Sequence, residues 1–261
     1  MICHTVKLKS QIERNLMTNP YDNLPDNAFW RKAIAEKSLF DIADLWQPKF
    51  KLLPKHKVAT YGSCFAQHIG RALRERGYNW LITERAPTDV DESIQKKFNY
   101  GIFTARTANI YTTSLLKQWV DWAAGTPSPS IFWQNEKHRY VDPFRPKIEP
   151  DGFYNADELQ RMRQRTISLF KQSITEARFF VFTLGLTESW FDSDGFEYPM
   201  CPGTIAGDFN PDKHYFKNQG FDFVKQNLIS AINTMRKLNP RLKIILTVSP
   251  VPLTATNTGE H

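Results

Sequence analysis

Cysteine is scarce in this 261-residue chain: Cys3, Cys64 and Cys201 cannot all pair, and they show no Cys-x-x-Cys spacing. That argues against a disulfide scaffold or a structural zinc site and for a reducing compartment. Glycine numbers only 12 against 16 prolines, too few for a collagen-like or flexible-linker chain. No run approaches the ~18–20 apolar residues that a bilayer-spanning helix needs. The first fifteen residues are polar and charged, without a signal-peptide core, so a cytoplasmic location and no membrane partner are expected. Acidic residues are outnumbered 27 to 34, a formal charge of +7. The basic residues are spread out, and the denser groups (Arg71, Arg74 and Arg76; Arg161, Arg163 and Arg165) read as solvated helix faces, not a nucleic-acid surface. What the chain does have is aromatic residues: 19 Phe, 9 Tyr and 7 Trp, within 41% hydrophobic content that suffices for a globular core.

Along the chain, residues 1–18 read as a tail, with Met17 as a second candidate start, followed by an irregular lead-in marked by Pro20 and Pro25. Residues 28–45 carry Phe29, Trp30, Ile34, Leu39 and Ile42 at helical spacing. Residues 56–61 read as a strand that ends at Gly62-Ser63, and a helix follows over 64–76 with Gly77 as its C-cap. Residues 80–82 suggest a second short strand, 97–106 a loop and 107–124 a helix. The Pro-rich stretch 125–152 reads as an ordered loop packed through Phe132, Trp133, Tyr140 and Phe144. After a helix at 155–176, the near-continuous apolar runs 178–184 and 243–249 look like strands buried on both faces of a parallel sheet. Between them lie a long loop and a helix at 221–238. Strands alternating with long helices predict a three-layer α/β/α sandwich with a mainly parallel, doubly wound sheet.

In such sheets ligands bind beyond the carboxyl ends of the strands, so three loops stand out: residues 61–66, 183–190 and 249–254. Ser63, between strand and helix, suits both an N-cap and a nucleophile whose oxyanion faces free helix N–H groups. Cys64 is either a rival nucleophile or a small core residue. Trp190 either lines an acyl or sugar site or packs its loop. Glu188 either orients a base or binds substrate, or is an exposed loop carboxylate or a salt bridge at the edge of the core. No His, Cys or carboxylate spacing matches a metal site.

Gly62-Ser63-Cys64-Phe65-Ala66 resembles the name-giving motif of the GSCFA family. The likeness extends, in order, through Asn19-Pro20-Tyr21, the segment from Phe98 to Arg106, Asp142-Pro143-Phe144-Arg145-Pro146, Leu184-Gly185-Leu186-Thr187-Glu188-Ser189-Trp190, Cys201-Pro202-Gly203 and the segment from Thr247 to Leu253. That family is in turn similar to the SGNH (GDSL-like) hydrolases, which implies a flavodoxin-like sheet and acyl transfer through an acyl-enzyme. By that resemblance Ser63 is the nucleophile and the backbone N–H groups of Ser63 and Gly101 are oxyanion donors. Thr187 stands where the SGNH pattern has an Asn, with Asn99 as a substitute donor. The implied partner is a small-molecule or polysaccharide ester, and no cofactor is required.

A serine hydroxyl needs a base. The SGNH Asp-x-x-His block follows a fifth strand, and neither the block nor the last β-α unit is found before His261, so a chain without turnover that binds carbohydrate or protein is the alternative. Of the six histidines, His4 and His261 lie near the termini, His56 precedes the first strand, His68 turns away on the helix and His138 sits in the Pro-rich loop. His214, in the long loop, is either a surface residue or the substitute base.

Overall fold

The β-branched and aromatic run Val58–Gly62 forms β1, buried at all five positions. In the computed structural model, which describes residues 19–43, 45–251 and 255–259, the helices α1 (Cys64–Glu75), α2 (Glu92–Lys97) and α3 (Thr113–Ala124) follow. Then come the short strands β2 (Trp133–Gln134) and β3 (Tyr140–Val141), helix α4 (Ala156–Glu176) and strand β4 (Phe179–Leu184). The strands β5 (Glu188–Asp192), β6 (Glu197–Tyr198) and β7 (His214–Asn218), helix α5 (Phe221–Leu238) and strand β8 (Lys243–Val248) complete the described elements.

The three long apolar strands form one parallel sheet in the order β1-β4-β8, with Tyr61 opposite Phe182 and Phe182 opposite Leu246. Period-2 alternation sends Ala59, Tyr61, Phe180 and Phe182 to one face, into a core with Leu116 and Trp119 of α3, Phe170 of α4 and Ala231 of α5. α1 covers the other face. There Gly70 leaves no room for a side chain against the Trp80 ring, whose indole N–H donates to the Thr60 hydroxyl at 2.9 Å. The fold is therefore the expected α/β class, with helices on both sides of a parallel sheet.

Several local expectations are corrected. The strand at 80–82 reduces to a single parallel bridge, Val58 to Trp80. The helix expected from residue 107 begins only at Thr113, because the Thr112 hydroxyl caps it by accepting from Leu115 N–H at 3.1 Å, and Ala108 before it has φ +59°. The long loop after β4 contains an antiparallel sheet, β6-β5-β7, built on the aromatic neighbours Trp190 and Phe216, and Phe191 and Tyr215. β8, expected to be buried on both faces, is only half-covered and is the edge of its sheet. The Pro-rich stretch is packed in part as expected: Trp133 and Phe144 are buried and β2 pairs with β3, whereas Phe132 is exposed and meets the half-buried Tyr140 ring edge-on.

The chain divides into two compact units, Met1–Leu52 and Leu53–His261. In the first, the helix expected over 28–45 reduces to a 3-10 turn, Asp26–Ala28, and a π turn, Arg31–Ala35. Within this unit Trp30, Leu39 and Phe40 are exposed, and short helices whose apolar residues are not packed are marginal in water. The tail at 1–18 and the Met17 start lie outside the described residues.

Candidate active site

β1 ends in a close crossing. Gly62 has φ +134°, and a Cβ there would lie 2.8 Å from Thr183 Cβ, so glycine alone lets β1 and β4 approach. Ser63 follows in extended conformation as the N-cap of α1, and its Oγ accepts from Phe65 N–H at 3.4 Å. Its own N–H donates to Thr183 C=O at 3.3 Å, which corrects the expectation of a free oxyanion donor there. The side chain is 4% exposed.

Two other segments close on Ser63. Gly185, just past β4, would place a Cβ 2.9 Å from Ser63 Cβ and 3.2 Å from Tyr111 C=O. That carbonyl accepts the N–H groups of both Gly185 and Leu186, at 3.1 and 3.0 Å, and Ile110 N–H donates to Gly62 C=O at 2.9 Å. The turn after β4 and residues 110–111 thus pack on the end of β1, as the topology requires of loops at the carboxyl edge.

Sequence reasoning missed the polar chain that borders this point. Gln67 of α1 donates to Asn109 Oδ1 at 2.9 Å, and the Asn109 amide donates to the Tyr111 hydroxyl, also at 2.9 Å. Burial raises the Tyr111 phenol, with the Asn109 hydrogen bond opposing it and the nearby Cys64 adding to the rise. No local sequence pattern signals it: Gln67 and Asn109 lie 42 residues apart, and Ala108, directly before Asn109, holds φ +59°, a conformation costly for a residue with a Cβ. Gln67, Asn109 and Tyr111 share a cavity of about 190 Å³ with Asn99.

The remaining candidates are dispersed. Asn99 reaches that cavity, but its amide donates to Lys147 C=O at 3.1 Å. Gly101, at φ +70°, lines a different cavity with Arg71 and Arg74. The Thr187 hydroxyl donates to Asn218 Oδ1 at 2.8 Å. Glu188 opens β5 opposite Asn218 and accepts from the Thr256 hydroxyl and from Asn257 N–H at 3.3 Å. Cys64, half-buried and unpaired, begins α1. Trp190 packs against Phe209 and Phe216, with ring centroids 5.5 Å apart in both cases.

His214 is not brought to Ser63. It stands opposite Asp192, at the end of β5 remote from Glu188, and its Nδ1 accepts from Asn210 N–H at 3.1 Å. Burial lowers its pKa, partly offset by Asp192. Among the described residues no histidine hydrogen-bonds to Ser63, and no group of three or more His, Cys, Asp and Glu side chains could hold a metal ion. No described helix is long and apolar enough to cross a membrane.

A parallel α/β sheet whose first strand runs through Gly-Ser into a helix N-terminus, with two further loops closing on that serine, defines a class of α/β proteins with a serine at the strand–helix crossing. The GSCFA family profile matches residues 57–260, and the chain belongs to the GSCFA family. No curated protein and no solved structure matches it.

Proposed function

We propose that the chain is a serine ester hydrolase or acyltransferase of SGNH-like type, with Ser63 as nucleophile on an acylated substrate. The observation that carries this reading is the placement of Ser63 where the carboxyl edge of the sheet, the start of α1 and the Gly185 turn meet. Ser63 Oγ would attack the ester carbonyl and the ester C–O bond would break, the serine proton passing to the departing alkoxide so that it leaves as the alcohol. Water or an acceptor alcohol would then attack the acyl-enzyme, return a proton to Ser63 Oγ and carry the acyl group away as the acid or a new ester. With the Ser63 N–H already engaged, the N–H of Cys64 at the first helical position, which has no intrahelical acceptor, would serve as a backbone donor for the oxyanion. The Gln67–Asn109–Tyr111 chain supplies the polar wall on which an alcohol or sugar hydroxyl would dock.

A second reading, a module that binds carbohydrate or protein without turnover, is favoured by the burial of Ser63 and by the lack of a described imidazole against it. Turnover of p-nitrophenyl acetate separates the two. The hydrolase reading expects slow hydrolysis that falls at least about tenfold in Ser63→Ala, within the range for removing an activated nucleophile. An unchanged rate in Ser63→Ala sinks that reading and leaves the binding module.

A further inference from the structure

Beyond its first turn, α1 carries Gln67, Arg71 and Arg74 at i, i+4 and i+7, a spacing that puts all three on one stripe of the helix. The stripe forms one wall of a cavity of about 530 Å³, whose other wall is Gln95 and Lys96 of α2 followed by Tyr100. That volume is within the range of small-molecule sites and far exceeds what a bare inorganic ion fills.

The electrostatics of the cavity are one-sided. Glu92, its one carboxylate, is already matched by Lys96 at 2.9 Å. Arg71 and Arg74 make no ion pair among the described residues; Arg74 instead lies over the Trp80 ring, 5.8 Å from its centroid. Two guanidinium groups therefore face the cavity without a counter-charge, beside Tyr100, whose ring also carries the Arg106 guanidinium at 4.0 Å. The amides of Gln67 and Gln95 stand there too, each with one N–H engaged, with Asn109 Oδ1 and Val90 C=O respectively, and a second left to donate. Planar guanidinium forks bind phosphate oxygens in pairs, and the amides add neutral donors.

We propose that this cleft binds the phosphate group of a phosphorylated organic molecule. The phosphate sits between Arg71 and Arg74, and the organic part lies on Tyr100 and Ile102. Gln67 also lines the smaller cavity beside Tyr111. Arg71 is eight residues beyond Ser63, about 12 Å along the helix at 1.5 Å per residue. The site thus lies farther along α1 than the serine crossing and does not depend on Ser63 acting as a nucleophile.

Calorimetric titration of the whole chain with phenyl phosphate, and in parallel with benzoate, tests the assignment without any turnover. The expected result is saturable phenyl phosphate binding in the millimolar range or tighter, weakened about tenfold in Arg71→Ala and in Arg74→Ala, with benzoate at least about tenfold weaker. Both arginines are exposed, so the variants should keep the parent's circular dichroism. Arg71→Lys, which retains charge but loses the fork, should bind between parent and alanine variant. No saturable binding up to ~10 mM, or equal affinity in parent and both alanine variants, overturns the site. Benzoate binding as tightly as phenyl phosphate overturns the phosphate assignment.

Discussion

Glu197 is a carboxylic acid held where a carboxylate is costly. It is buried between α3 and the antiparallel sheet; one carboxyl oxygen accepts from the Thr112 hydroxyl, and Oε2 has no hydrogen-bond partner. Burial pushes its pKa up to about 7, with the polar hydroxyls around it, those of Ser114, Thr112 and Ser189, opposing the rise. The folded chain therefore holds a proton that the unfolded chain releases at the ordinary value of 4.5. Stability from this group is complete below that value, declines as pH rises toward about 7, and is lost above it. At 1.36 kcal/mol per pKa unit the full loss is on the order of 3 kcal/mol. Urea unfolding at pH 5 and pH 8 should show it in the parent, and Glu197→Gln should flatten the difference. An equally steep pH dependence in the variant would exclude Glu197 as its source.

At the scale of elements, the Asp142-Pro143-Phe144-Arg145-Pro146 motif serves as a clamp. Asp142 pairs with Arg145 at 2.7 Å and with Arg163 of α4 at 2.9 Å, and all three side chains are fully buried. Arg163 also donates to the carbonyls of Pro129 and Ile131, which corrects its reading as part of a solvated helix face: these partners and Asp142 allow the charge to be buried. The clamp therefore fastens the Pro-rich stretch to the long helix. Burial alone would raise the Asp142 carboxyl, but the Arg163 and Arg145 guanidinium groups outweigh it and hold it below the usual range. Asp142→Ala leaves two buried cations without their anion, so a loss of about 3–5 kcal/mol in denaturant unfolding is expected. A loss within ~0.5 kcal/mol, the scale of an ordinary surface substitution, would show that the pairs contribute nothing net. The sequence motif was legible, but its role was not, because Arg163 lies 21 residues away and arrives only through the packing of α4.

At the scale of the whole molecule, the parallel sheet is unevenly finished. Val58 bridges to Trp80 on one side, whereas the outer edge of β8 is unpaired among the described residues. On β8 Val248 is 75% exposed and Leu246 is exposed as well. An open apolar edge strand is a template for strand addition, and native sheets usually protect such edges with charge. Sedimentation velocity over concentrations up to the order of 100 µM should reveal self-association, reduced by Val248→Lys. A monodisperse parent across that range would contradict this.

By itself the sequence determined the α/β class, the three long strands, the helices read at 155–176 and 221–238, and the Gly-Ser turn between β1 and α1. These features follow from local periodicity, capping and apolar runs, which act over a few residues. The tertiary structure alone decided which residues meet. It set Tyr111 and Gly185 against Ser63, sent His214 to the far end of β5, and gathered Arg71 and Arg74 around a cavity with Lys96. The register of β7 on β5 and the approach of α2 to α1 rest on contacts far apart in the chain, which no local pattern encodes.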